Sequence, residues 1–128
     1  MTNGNNEQIQ TYTRFFKVLS DPTRLVIVLL LAKGALCVCQ IEAALKVHQA
    51  KISRHLAYLR RHGIVKVKSQ WKWKYYLLFE PRNKFEQGLL KCLEECLAND
   101  ALFKPYFSQM KQCVSQPLES VAKMARKL

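Results

Sequence analysis

Two short helical segments meet at a break near Lys46-Val47, and the apolar period then switches from 3.6 to 2 between Ile64 and Phe79. Together these features predict a mainly α fold that carries a β-hairpin wing. Further helices flank the unit on both sides, so the chain reads as a winged helix-turn-helix, dimerised through its terminal helices. Charge points the same way. Of the net +12, most sits between Ala43 and Phe79, a stretch with nine Lys or Arg, all three histidines and no Asp or Glu. A folded, acid-free basic segment is the footprint of a polyanion-binding surface.

The elements follow in order. Ile9, Tyr12, Phe16 and Leu19 recur at helical spacing and predict a first helix from Asn6 to Leu19. Ser20-Asp21-Pro22 supplies a cap and a proline at the first helical position, opening a second helix that runs to Lys33 and stops at Gly34. Its run Leu25–Leu31 is apolar all round, as expected of a central helix. A third helix covers Val38 to Leu45, with Ile41, Ala44 and Leu45 inward. A fourth covers His48 to His62, with Ile52, Leu56 and Leu59 buried, and Gly63 ends it.

From Ile64 to Phe79 the alternation predicts a two-stranded hairpin with a cationic and an apolar face. Its turn, near Ser69-Gln70-Trp71, lacks glycine, so a connection longer than two residues is expected. After Pro81 one more helix is predicted to about Asn99, with Phe85, Leu89, Cys92, Leu93, Cys96 and Leu97 on one side, where Cys92 and Cys96 complete a core stripe. Pro105 and Pro117 punctuate two further amphipathic segments. Residues 1–100 are read as the DNA-binding and dimerisation domain, and residues 101–128 as a C-terminal helical extension.

No apolar run approaches the length of a membrane span, and the polar start Met1–Gln10 lacks the apolar stretch of a secretion signal. A cytoplasmic protein with reduced cysteines is expected. The five cysteines include no Cys-x-x-Cys pair.

The chemistry is concentrated at Cys37-Val38-Cys39, just ahead of the helix-turn-helix. Thiolates select soft, thiophilic ions, so the pair points to a sensor. On a regular helix, side chains two apart diverge by about 200°. Both sulfurs can then hold one ion only if the backbone leaves helical geometry. Binding is therefore expected to unwind or tilt the start of the third helix and so shift the fourth.

On the fourth helix, Gln49, Lys51, Ser53, Arg54 and His55 face outward near its start. Gln suits adenine and Arg suits guanine, while Lys, Ser and His serve phosphates or bases. Lys66, Lys68, Lys72 and Lys74 on the wing are expected to grip phosphates or the minor groove. Trp71 could stack on bases, and Trp73 is expected to anchor the wing to the core. The partners implied are double-stranded DNA, as an inverted-repeat operator, and a second copy of the chain.

Leu36-Cys37-Val38-Cys39-Gln40-Ile41, followed by Gln49-Ala50-Lys51-Ile52-Ser53-Arg54-His55-Leu56, resembles the ArsR/SmtB family over roughly residues 13–80. The resemblance implies a dimeric winged-helix repressor that leaves its operator when it binds a metal or metalloid. In the arsenic-sensing branch Cys37 and Cys39 would bind As(III) or Sb(III) as inducer, with no permanent cofactor. Four positions depart from the family pattern. Gln40 replaces an Asp, Glu42 a common third thiol, His48 a helix-opening Ser, and Trp71 a wing-tip Gly. The third ligand is left open among Glu42, Cys92, Cys96, a small thiol and water.

Three alternatives stand beside this reading. One is a thiol-redox or persulfide sensor linking a third-helix cysteine to Cys92 or Cys96. Another is a cadmium or lead sensor, although residues 1–36 hold no cysteine to add to the pair. A ligand-blind nucleic-acid module would explain the charge but not the thiols. No glycine-rich phosphate loop or catalytic carboxylate pair supports an enzyme.

Overall fold

The computed structural model describes residues 3–113 apart from Trp71, with side chains from 6 to 110. The expectation for Trp71 and the part of the expected C-terminal extension beyond residue 113 lie outside the described residues. The order is α1 (Asn3–Leu19), α2 (Pro22–Leu31), α3 (Val38–Leu45), α4 (Gln49–Arg61), β1 (Val65–Gln70), β2 (Trp73–Leu78) and α5 (Lys84–Lys91). A π-helical turn (Cys92–Leu97), a 3-10 turn (Ala101–Phe103) and α6 (Lys104–Cys113) complete it. No described helix is long and apolar enough to cross a membrane.

Helix α2 is the centre of the molecule, buried from Val26 through Leu31. Asp21 caps it by accepting from the Arg24 N–H at 3.0 Å. That hydrogen bond is the first cause of an Asp21 pKa held below its ordinary value. The helix ends at Leu31, earlier than the sequence suggested, and a turn carries the hydrogen bonding on to Gly34. Around α2 pack Phe15 and Val18 of α1, Ile41 and Ala44 of α3, and Ile52, Leu56 and Leu59 of α4.

The step from α3 to α4 turns on Lys46, a non-glycine residue in the left-handed region at φ 54°. This single residue ends α3 and lets α4 start two positions after Val47. His48 then opens α4, its Nδ1 accepting from the Ala50 N–H at 3.1 Å. An imidazole thus replaces the usual hydroxyl or carboxylate cap, so the departure at His48 keeps the cap's chemistry. Gly63, at φ 74°, releases the chain into the wing.

Two expectations about the wing are corrected. Its strands pair antiparallel up to Gln70↔Trp73, so the reversal takes two residues, without the longer connection expected. The cationic residues also do not share one face. Directly paired residues lie on the same side of an antiparallel ribbon. Lys68 pairs with Tyr75 and Lys66 with Leu77, whereas Lys74 pairs with Ser69 on the other side.

The long final helix is corrected as well. After α5 the hydrogen bonds lengthen to i→i+5, as in Ala98 N–H to Leu93 O at 2.9 Å. Leu93 and Ala98 turn inward, and Cys92 and Cys96 turn out to solvent instead of completing the core. The chain then reverses, and α6 packs back on α3 and α2. Phe103, Tyr106, Phe107 and Met110 join the main core in doing so.

Candidate functional site

Cys37 does not lie within α3 but immediately before it, with extended backbone angles of φ −90° and ψ 166°. One residue of extended chain removes the divergence expected of a helical i, i+2 pair. The Cys37 and Cys39 sulfurs sit 3.0 Å apart. The expected unwinding of α3 is therefore not needed, because the pair is already convergent.

Three contacts hold this geometry. Gln40, itself buried, accepts from the Cys37 N–H through Oε1 at 3.0 Å, closing the first turn of α3. Leu36 exchanges two backbone hydrogen bonds with Tyr76 of β2, at 3.1 and 2.8 Å, so the residue before the thiols is bridged to the wing. Cys37 also packs with Ala35 and Tyr75 in a cluster separate from the main core, edged by Cys39, Trp73 and Leu77. Trp73 thus anchors the wing, and it does so against the thiol site.

Tyr75 is 1% exposed, and its hydroxyl has no hydrogen-bond partner. Burial, then the charges of Cys37 and Cys39, push its pKa above the ordinary phenol value. An open groove of about 600 Å³ runs past Cys39, Glu42, Ala43 and Lys46 to His48, giving Cys39 a route to solvent. Among the described residues no third His, Cys, Asp or Glu joins the pair to form a metal cluster. Glu42, Cys92 and Cys96 therefore do not complete the shell within one chain.

Of the five α4 candidates for DNA contact, four are exposed, and the wing lysines do not share one face. Gln49, Lys51, Ser53 and Arg54 are exposed and His55 is half-buried, while Ile52, Leu56 and Leu59 of the same helix are buried. Burial holds His55 below its usual pKa. Asp21 pulls it up, while Arg24, Lys51 and Arg54 push it down. Lys66, Lys68, Lys72 and Lys74 are all exposed. Lys66 is 3.5 Å from the Glu80 carboxylate at the base of the wing, and the Lys72 ammonium lies 5.6 Å from the Trp73 ring centroid.

The profile described as bacterial regulatory protein, arsR family, matches residues 21–67, from the cap of α2 into β1. The arsenic resistance transcriptional regulator ArsR1 of Pseudomonas putida is 40% identical over 104 residues, 77% of this chain and 81% of that one. The chain belongs to the ArsR family of bacterial regulatory proteins. Two solved structures share its fold. The antimony-specific transcriptional repressor AntR has a TM-score of 0.56 at 25% identity, over 70% of this chain and 77% of that one. The homodimeric winged helix-turn-helix domain of Mb0332 from Mycobacterium bovis has a TM-score of 0.62 at 22% identity, over 80% and 91%.

As an ArsR-family member the protein is a DNA-binding transcriptional regulator and not an enzyme. Its sequence left several site residues unmarked. Tyr75 reads as one more apolar-face aromatic of a strand, and only the register places it against Cys37. Leu36 and Tyr76 act through backbone groups, which no side-chain pattern reveals. Gln40 was visible as a departure from the family pattern, and its place three residues after Cys37 is the capping-box spacing. Glu86 is buried where α5 begins and accepts from Arg82 and Asn83, a scaffold role that fixes the exit from the wing.

Proposed function

We propose that the protein is a dimeric transcriptional repressor that releases its operator when As(III) or Sb(III) binds Cys37 and Cys39. The observation that carries this is the preformed pair of sulfurs, 3.0 Å apart and bridged to the wing through Leu36 and Tyr76. At a metal–sulfur distance of about 2.3 Å, two sulfurs lie about 3.3 Å apart for a 90° bite and about 3.8 Å apart for a tetrahedral one. Either bite is reached from 3.0 Å by opening the pair by less than about 1 Å, so both sulfurs can close on one thiophilic ion. The arsenic-resistance name of the Pseudomonas putida relative and the antimony-specific repressor sharing the fold support the same inducer class.

Gln49, Lys51, Ser53, Arg54 and His55 read bases and phosphates in the major groove, and Lys68, Lys72 and Lys74 hold the backbone from the wing, with Lys66 a weaker contributor. The dimer forms through α1 and α5. Ile9, Tyr12 and Phe16 leave 43%, 44% and 58% of their surface exposed along one face of α1, beside Phe85 of α5. A two-fold pair of recognition helices then reads an inverted repeat. Ion capture acts on the wing as well as on α4, because Cys37 touches β2 directly. The bound and free forms differ in how the wing is held, which shifts the population away from the DNA-competent state.

Fluorescence anisotropy of an operator complex, titrated separately with arsenite, antimonite, cadmium, zinc and polysulfide, tests the reading. Release by arsenite and antimonite at the lowest concentrations is expected. Release by polysulfide alone would support the redox alternative, and release by none would leave a ligand-blind binder.

A further inference from the structure

The thiol pair leaves a trivalent metalloid one valence short, and the wing offers a group with nothing to bond. When arsenous acid exchanges two hydroxyls for the two thiols, two waters leave and arsenic stays trivalent, so the product keeps one As–OH. That hydroxyl enters a site where Cys37 is 6% exposed and where no third His, Cys, Asp or Glu is present among the described residues. Inside such a site an unpaired oxygen is costly.

Tyr75 is the group against which Cys37 packs, walled by Ala35, Trp73 and Leu77. Its hydroxyl is buried and unpartnered in the free protein. Buried phenol groups ordinarily have a partner, and an orphan calls for an explanation. A phenol is a donor at neutral pH. We propose that Tyr75 is the third member of the metalloid site, its hydroxyl donating a hydrogen bond to the oxygen that the metalloid retains after capture by Cys37 and Cys39.

This inference rests on the function proposed above and adds a consequence for it. Tyr75 is paired across the ribbon with Lys68. The bound metalloid therefore joins the start of α3 to the strand position opposite a wing lysine. Tyr75 positions the inducer and links it to the wing, and it discriminates between metalloids that keep an oxygen and those that do not.

The test uses the full-length protein and two probes, arsenite and phenylarsine oxide. Phenylarsine oxide also condenses with two thiols, losing one water, but its third valence is carbon and no oxygen remains for Tyr75. Tyr75→Phe keeps the ring and removes only the hydroxyl. The variant is expected to bind arsenite roughly 2- to 10-fold more weakly, the loss of one hydrogen bond, and to bind phenylarsine oxide as the wild type does. Its urea midpoint is expected to equal or exceed that of the wild type, since the lost hydroxyl had no partner. Equal weakening for both probes, or no weakening for arsenite, overturns the role of Tyr75 while leaving the thiol site standing. Failure of the wild type to bind either probe overturns the thiol site itself, and this inference with it.

Discussion

Replacing Gln40 with methionine preserves the length and volume of the side chain but removes the oxygen that accepts from the Cys37 N–H. That hydrogen bond is 3.0 Å long and buried, and Gln40 is only 4% exposed, so water cannot take its place. The substitution costs the bond and strands the Cys37 donor, together about 1–3 kcal/mol. With a urea m-value of about 1.5 kcal/mol per molar, the midpoint falls by roughly 0.7–2 M, measured at fixed protein concentration because a dimer's stability depends on it. The same bond holds Cys37 in the extended conformation that brings its sulfur to Cys39. Gln40→Met is therefore also expected to require more arsenite for operator release. A midpoint within about 0.2 M of wild type, together with a superimposable arsenite titration, would refute the claim that Gln40 sets the geometry of the pair.

Other consequences are accessible to the same assays. His48→Ala removes the cap of α4 and is expected to cost about 0.5–2 kcal/mol in urea unfolding, with weaker operator binding, whereas His48→Ser restores an ordinary cap and most of both. Operator affinity should fall by about 10³–10⁵ between 50 and 200 mM salt for a dimer that neutralises roughly 6–10 phosphates. Lys68→Ala or Lys74→Ala should each reduce the log–log salt slope by about 2, one contact per protomer, and Lys66→Ala by less because Glu80 lies 3.5 Å away. His55 and His62 are both held below the ordinary value of 6.5, chiefly by burial. Above that value both are neutral whether folded or not. As pH falls below it the unfolded chain takes up protons first, so stability declines until the folded-state pKa is reached. The urea midpoint should therefore drop as pH falls through and below the ordinary value of 6.5, and a His55→Gln, His62→Gln double variant should flatten that slope. A midpoint that rises on acidification in the parent protein would contradict the burial of these rings.

The helix-turn-helix was legible because each of its signals is local. Asp21-Pro22 caps α2, the apolar stripe Ile52-Leu56-Leu59 sets the face of α4, and Gly63 ends it; each acts within one turn. The strands were legible from their period of two, but their faces were not, since register depends on the cross-strand partner and a lysine has no preference of its own. The break after α5 was hidden because Phe85, Leu89, Leu93 and Leu97 keep a spacing of four across it. A π-helical turn needs neither Pro nor Gly, only hydrogen bonds one residue longer, and it moved Cys92 and Cys96 from the expected core to the surface. Similarly, Ile9, Tyr12 and Phe16 mark a helix correctly but not what covers it, because burial in a single chain falls to Phe15 and Val18. For Cys37 and Cys39 the sequence marked the pair but not how the two sulfurs meet. Applying helical divergence to a pair whose first member precedes the helix made distortion necessary, whereas the extended backbone of Cys37 at the N-cap brings the sulfurs together.

In the proposed function, control of the grip on DNA by two thiols at the start of α3 is the step on which the rest depends. Its most direct test is arsenite titration of operator complexes formed by the wild type, Cys37→Ser and Cys39→Ser. The wild type should leave the operator, and each serine variant should bind DNA normally and stay bound at arsenite concentrations that fully release the parent. Release of either variant at the wild-type concentration would contradict the claim.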